Sequence, residues 1–129
     1  MSDTLLVGDA MTRELLTVGP GHTLREVAKV LAAKKIGSAI VHDADGHGIG
    51  IITERDILRS VAADEDPDVE TAGGHQTTEV VFASPGWTLT EAAEAMRRGG
   101  FRHLIVLDEG EVSGIISVRD IVKAWAPMH

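Results

Sequence analysis

The apolar positions of this chain change period along its length, and each change marks an element. Leu24, Val27, Ala28 and Leu31 fall three and four apart, the spacing that lays one apolar stripe along a helix. Leu89, Ala92, Ala93 and Met96 do the same further on. Shorter apolar runs read as strands: Leu15 to Val18, Ser38 to His42 and Ile49 to Ile52, then Val80 to Ala83, His103 to Leu107 and Val112 to Ile116. Two further helices are predicted over about Glu54 to Ala62 and Val118 to Trp125. Start and stop signals agree. Thr23-Leu24-Arg25-Glu26 and Thr88-Leu89-Thr90-Glu91 fit the capping box, in which Thr and Glu accept from exposed N–H groups at a helix start. Lys34-Lys35 and Arg97-Arg98 suit a negative C-terminal end, and Gly37 and Gly99-Gly100 supply stops.

The pattern occurs twice. Residues 7 to 43 lie over residues 72 to 108 without a gap, and 12 of those 37 positions are identical, so the chain is an internal duplication. After one deletion within Asp43-Ala44-Asp45-Gly46-His47, six of the ten positions from Gly50 to Arg59 match Gly114 to Lys123. Each copy runs strand, helix, strand, strand, helix. A unit of about 60 residues with three strands buries too little apolar surface to stand comfortably alone. The expected fold is therefore α+β, with two pseudo-symmetric β-α-β-β-α repeats packed through their sheets into one module. The repeats are assigned to 7–62 and 72–125, joined by an acidic linker at 63–71.

Composition narrows the function. The formal charge is 12 − 20 = −8, which argues against a nucleic-acid surface built on clustered Lys and Arg. Asp64, Glu65, Asp66, Asp68 and Glu70 crowd into the segment between the repeats, which is expected to be solvated. There is no cysteine, so disulfides, thiolate nucleophiles and cysteine metal sites are excluded. The chain opens on Met1-Ser2-Asp3-Thr4 without a signal-like segment, and no apolar window approaches about 18 residues, so a cytoplasmic protein without membrane contact is expected.

The most closely repeated phrase is Gly50-Ile51-Ile52-Thr53-Glu54-Arg55-Asp56 with Gly114-Ile115-Ile116-Ser117-Val118-Arg119-Asp120. One reading is a capping box with Asp in place of Glu. The other is a grip on an anionic ligand. Each phrase ends an apolar strand and starts a helix, where unpaired N–H groups and the helix dipole favour an anion. The Thr or Ser hydroxyl and the Arg add donors for phosphate, while Asp, too short to reach its own helix start easily, can accept from vicinal hydroxyls. A ribose with its phosphate satisfies all three groups.

On these two phrases, and the same strand and helix pattern before each, the sequence resembles the CBS domain, named after cystathionine β-synthase. Two in tandem resemble a Bateman module, over roughly residues 7 to 125. The resemblance implies two clefts related by a pseudo-twofold axis, taking AMP, ADP or ATP, with S-adenosylmethionine or NAD in some members. It implies that Asp56 and Asp120 hold ribose hydroxyls, that Thr53 and Ser117 contact phosphate, and that Arg55 and Arg119 assist. It places the base against Thr17, Ser38, Ala39 and Ile40 in the first copy and against Phe82, His103, Leu104 and Ile105 in the second. It also implies a disc-like homodimer.

The copies differ. Met11-Thr12 resembles the family's usual lead-in, whereas the second copy has Gln76-Thr77. Phe82 stands where the first copy has Thr17, Val118 where it has Glu54, and Arg102 where it has Gly37, so electrostatics favour the second cleft for a multiply charged phosphate.

Other constellations carry less. The six histidines, His22, His42, His47, His75, His103 and His129, show no metal-ligand spacing, and no metal site is assigned. Ser117, His103 and Asp120 have the letters of a triad, but Ser117 is predicted to cap a helix and no nucleophile elbow surrounds it. Trp87 and Trp125 read as edge or interface anchors. The expected function is a regulatory module, not an enzyme, that binds an adenosine-containing nucleotide and signals through conformation or the affinity of a regulated partner protein. The alternative is a ligand-free dimerisation module, with Ile57, Leu58 and Val61 or Ile121, Val122 and Trp125 pairing across a twofold axis.

Overall fold

The computed structural model describes residues 5–43 and 48–126. His47 and His129 lie outside these residues, as does the stretch 44–47 that holds most of the inferred deletion. The elements run α1 (Val7–Ala10), β1 (Thr17–Val18), α2 (Leu24–Lys34), β2 (Ser38–His42), β3 (Ile49–Thr53), α3 (Glu54–Ala62), α4 (Ala72–His75), β4 (Phe82–Ala83), α5 (Leu89–Gly99), β5 (His103–Asp108), β6 (Glu111–Ser117) and α6 (Val118–Trp125). The fold is mixed α+β with two three-stranded sheets, as the periodicity predicts. The chain divides into two compact units, one from residues 16 to 80 and one from the N-terminal stretch to Leu15 together with residues from Val81 onward.

In the unit of residues 16–80, β1 runs parallel to β2 and β2 antiparallel to β3. Val18, Ala39, Val41 and Ile52 from the sheet meet Leu24, Val27 and Leu31 from α2 and Ala72 from α4 in one apolar cluster. The period-2 positions of the strands and the 3.6-period stripe of the helix therefore close on each other. Helix α2 opens on the predicted box: the Glu26 backbone N–H donates to Thr23 Oγ1 at 3.1 Å, and the Thr23 N–H donates to Glu26 Oε1 at 2.8 Å. Its stop comes two residues earlier than expected. Lys35, not Gly37, takes the left-handed conformation at its C-cap, with φ 56°.

The other unit repeats the plan. β4 is parallel to β5 and β5 antiparallel to β6. Ala83, Leu104, Val106 and Ile116 pack with Leu89, Ala92 and Met96 of α5, Ile121 of α6, and Val7 and Met11. Here the expected glycine stop is found, with Gly100 at φ 73°. Glu109 and Gly110 both have positive φ and link β5 to β6, the conformation of a type I′ hairpin turn.

The connecting segments hold the main surprise. The opening stretch of the first copy is built into the unit of the second. The Val7, Gly8 and Thr12 N–H groups donate to the carbonyls of Trp87, Pro85 and Ile115 at 2.8, 3.0 and 2.8 Å. The opening stretch of the second copy is likewise built into the unit of the first. Ala72, Gly73 and Thr77 donate to His22, Pro20 and Ile51, each at 2.8 Å. The acidic segment is consequently bonded rather than merely solvated: Leu24 N–H donates to Glu70 O at 2.9 Å, and Arg25 pairs with Asp68 at 2.5 Å.

This crossing explains why each repeated phrase opens on glycine. A Cβ on Gly114 would lie 2.8 Å from the Thr12 carbonyl oxygen, and one on Gly50 would lie 3.0 Å from that of Thr77. Only a residue without a side chain lets the crossing segment pair with the strand.

Candidate functional site

Each unit gathers the predicted site residues on one sheet and the helix that follows it. In the unit of residues 16–80, β3 ends at Thr53, which is extended (φ −122°, ψ 163°) and caps α3. Ser38 lies opposite Thr53 in the β2–β3 register, and Thr17 lies beside Ile40 in the β1–β2 register. Two residues of strand therefore separate the helix start from Thr17, about 7 Å along β2. Arg55 and Asp56 occupy the first turn of α3.

The same set recurs in the other unit. Ser117 caps α6 with φ −116° and ψ 167° and lies opposite His103, while Phe82 lies beside Ile105. Arg119 and Asp120 stand in the first turn of α6. The backbone after each cap is fixed to the start of the neighbouring strand: Glu54 N–H donates to Gly37 O at 2.9 Å and Val118 N–H to Arg102 O at 3.0 Å.

The aspartates correct one expectation. Both close complete capping boxes, so the shorter carboxylate does reach its own helix start. Thr53 N–H donates to Asp56 Oδ2 at 2.8 Å, and the Thr53 hydroxyl donates to the same oxygen at 3.0 Å. Ser117 N–H donates to Asp120 Oδ2 at 2.9 Å. These lengths match those of Glu26 and Glu91, at 2.8 and 2.9 Å. Capping and ligand binding are therefore not alternatives for the geometry, since a carboxylate has about four acceptor sites and the box uses one oxygen.

The two aspartates differ in a way that sequence comparison missed. The Thr12 hydroxyl donates to Asp120, 3.2 Å from Oδ1 and 3.4 Å from Oδ2. The hydroxyl that shares Asp56 is that of its own cap, Thr53. Thr12 reads as part of the first copy, and only the crossing of the N-terminal segment carries it to Asp120.

Side-chain orientation divides the remaining candidates. Ala39 and Leu104 belong to the two apolar clusters, so only their backbone groups are available to a ligand. Ile40 and Ile105 are buried at 4% and 1% exposure, whereas Thr17 is exposed and Phe82 is 41% exposed. Arg55 and Arg119 are exposed, and among the described residues neither has a salt-bridge partner. Glu54 leans over Gly37, where a Cβ would lie 3.2 Å from its Oε1, so an acid does stand beside the first helix start. Ser117 is no activated nucleophile: its Oγ accepts from Asp120 N–H at 3.1 Å. Ile121 is core, and Trp125 packs against the same cluster, while Leu58, Val61, Val118 and Val122 are large exposed apolar residues of α3 and α6.

The chain thus builds one β-α-β-β-α unit twice, each with a capped helix start at the end of its hairpin. The family model for the CBS domain matches residues 7–63 and 73–127, and the chain belongs to the CBS domain family. It is 34% identical over 125 residues to an uncharacterized 17.7 kDa protein of Acidianus ambivalens, covering 95% of this chain and 74% of that one. It spans 45% and 61% of the length of relatives from Methanocaldococcus jannaschii and Methanopyrus kandleri.

Among solved structures, a CBS domain protein from Pyrobaculum aerophilum complexed with AMP is 30% identical. It superposes with a TM-score of 0.77, over 95% of this chain and 99% of that one. A CBS domain pair of the protein MJ0100, in complex with 5-methylthioadenosine and S-adenosyl-L-methionine, is 25% identical with a TM-score of 0.82 over 96% and 98%. Among the described residues, no helix is long and apolar enough to cross a membrane.

Proposed function

We propose that this CBS pair binds an adenosine-containing nucleotide, AMP, ADP or ATP, at the two strand-end helix starts and signals by changing conformation or partner affinity. The observation that carries the reading is the duplicated set of a capping hydroxyl, an Arg without a salt-bridge partner among the described residues, and a carboxylate in one helical turn. Asp56 and Asp120 accept from ribose hydroxyls; Thr53 and Ser117 face phosphate at the helix starts, with Arg55 and Arg119 adding charge. The base lies along β2 toward Thr17, or along β5 toward Phe82, which can stack on it. The AMP complex of the Pyrobaculum protein supports this ligand class, and the MJ0100 complex makes S-adenosylmethionine the next candidate.

The test is thermal unfolding and calorimetric titration with AMP, ADP, ATP, NAD and S-adenosylmethionine, on the native chain and on Asp56→Ala and Asp120→Ala. A nucleotide at 100 times its dissociation constant adds about 2.7 kcal/mol, a midpoint rise of several degrees. Loss of that rise in one aspartate variant locates the site. Flat curves at millimolar concentrations of every ligand would refute the proposal.

A second reading is assembly. Leu58, Val61 and Val122 are 68%, 50% and 56% exposed, apolar surface that a homodimer would cover. Light scattering of Leu58→Lys and Val122→Lys against the native chain tests it: a fall in mass without loss of nucleotide binding separates assembly from sensing.

A further inference from the structure

Outside the helix starts, one cluster of side chains has the composition and spacing of a metal site. Glu65, Glu70 and His75 come from the segment between the copies, and one ligating atom from each lies within 4.8 Å of the others. His75 Nε2 is 2.8 Å from Glu70 Oε1 and 3.7 Å from Glu65 Oε1. Ligands held about 2.0 to 2.2 Å from a tetrahedral zinc ion stand about 3.4 Å apart, so these two separations bracket the required value.

We propose that Glu65, Glu70 and His75 form a binding site for a borderline divalent cation of the zinc type. One imidazole nitrogen with two carboxylates is a donor set such an ion takes, and it leaves the fourth position to water. The surrounding backbone holds each donor in place. Asp64 turns the chain back after α3 at φ 64°, and the Glu65 N–H then donates to Ser60 O at 3.1 Å. Glu70 is fixed from both sides, its N–H donating to Asp66 O at 2.9 Å and its carbonyl accepting from Leu24. His75 ends α4.

Support comes from behind the donors as well. Ser60 is the one buried polar side chain among the described residues, at 3% exposure, and its hydroxyl donates to Glu65 Oε1 at 2.7 Å. Hydrogen bonds of this kind orient metal-binding carboxylates. Side-chain exposures of 40%, 32% and 21% for Glu65, Glu70 and His75 keep all three donors in reach of solvent. A bound ion would tie the end of α3, the acidic segment and α4 together at one point, all within the unit of residues 16–80.

Spacing alone did not reveal the site. The three donors lie five residues apart each time, a period that belongs to neither helix nor strand, and His75 stood alone in the sequence as a metal ligand.

The experiment is titration of the chelator-treated full-length chain with zinc chloride, without nucleotide. Calorimetry reads affinity and stoichiometry, and cobalt substitution reads visible bands from nitrogen and oxygen coordination. One ion per chain is expected. Glu70→Gln and His75→Gln should abolish it, Ser60→Ala should weaken it about 10-fold or more, and His22→Ala should leave it unchanged. Circular dichroism confirms folding of each variant, and Glu65→Gln, at an exposed position, provides a substitution that the fold tolerates. No saturable zinc binding, or binding unchanged in both Glu70→Gln and His75→Gln, overturns the proposal.

Discussion

Thr12 and Asp120 are 108 positions apart in the chain, yet the Thr12 hydroxyl donates to the Asp120 carboxylate at 3.2 Å. The bond places an internal hydroxyl on the same acceptor that the proposed function gives to a ribose. Thr12→Val keeps the shape and removes the donor, so it should lower stability by about 1 kcal/mol. In an Asp56→Ala background it should also tighten nucleotide binding several-fold, by returning an acceptor to the ligand. Urea denaturation and calorimetry measure the two effects. Unchanged affinity would show that Thr12 does not compete with the ligand.

Gly50 and Gly114 sit where the crossing segments approach their strands. Gly114→Ala pushes a methyl against the Thr12 carbonyl oxygen, with Met11 Sδ also 2.8 Å away, and Gly50→Ala meets Thr77 O. Each should cost about 1–3 kcal/mol, the usual penalty of overpacking. Gly86→Ala is the control, since its nearest neighbour would be Ser84 Oγ at 3.9 Å. Chemical denaturation midpoints give the comparison.

Asp56 closes a capping box as tightly as Glu26 does. Asp56→Ala should therefore cost about 1 kcal/mol in the absence of any ligand, similar to Glu26→Ala. A neutral or stabilising Asp56→Ala would show that the residue contributes nothing as a cap and is retained for binding alone. Denaturant titrations without nucleotide distinguish the two.

Acid should weaken the unit of residues 16–80 in a defined window. Hydrogen bonds from the Thr23 backbone and then its side chain hold the Glu26 carboxyl below its ordinary 4.5, and the hydrogen bond from Arg25 holds Asp68 below 3.8. Folded values below the unfolded ones mean stability that is complete above these ordinary values and lost as pH falls through the lowered ones. Both side chains are exposed, so the effect is modest. Glu26→Gln should be less stable than the native chain near pH 7, with the difference vanishing in strong acid, as read from unfolding midpoints across pH.

Much of the architecture was already written in the sequence, because it is local. Helices Glu54–Ala62 and Val118–Trp125 and strand Ser38–His42 have the bounds that capping boxes and apolar runs predict. Such signals act over three or four residues and need no distant partner. The duplication and the family resemblance followed from the same patterns. The end of α2 was misread because Lys35 accepts a left-handed conformation that glycine takes more easily.

Only the tertiary structure decided which segment completes which unit. Residues 5–15 join the second copy, and residues 72–77 join the first, through backbone bonds to Trp87, Pro85 and Ile115 and to His22, Pro20 and Ile51. Pairing between backbone groups far apart in the chain leaves no period in the side chains, so nothing in the sequence announced it. The same lack of a local signal hid the Thr12 hydroxyl on Asp120 and the meeting of Glu65, Glu70 and His75. The sequence determined the elements and their caps; long-range packing determined which of their side chains meet.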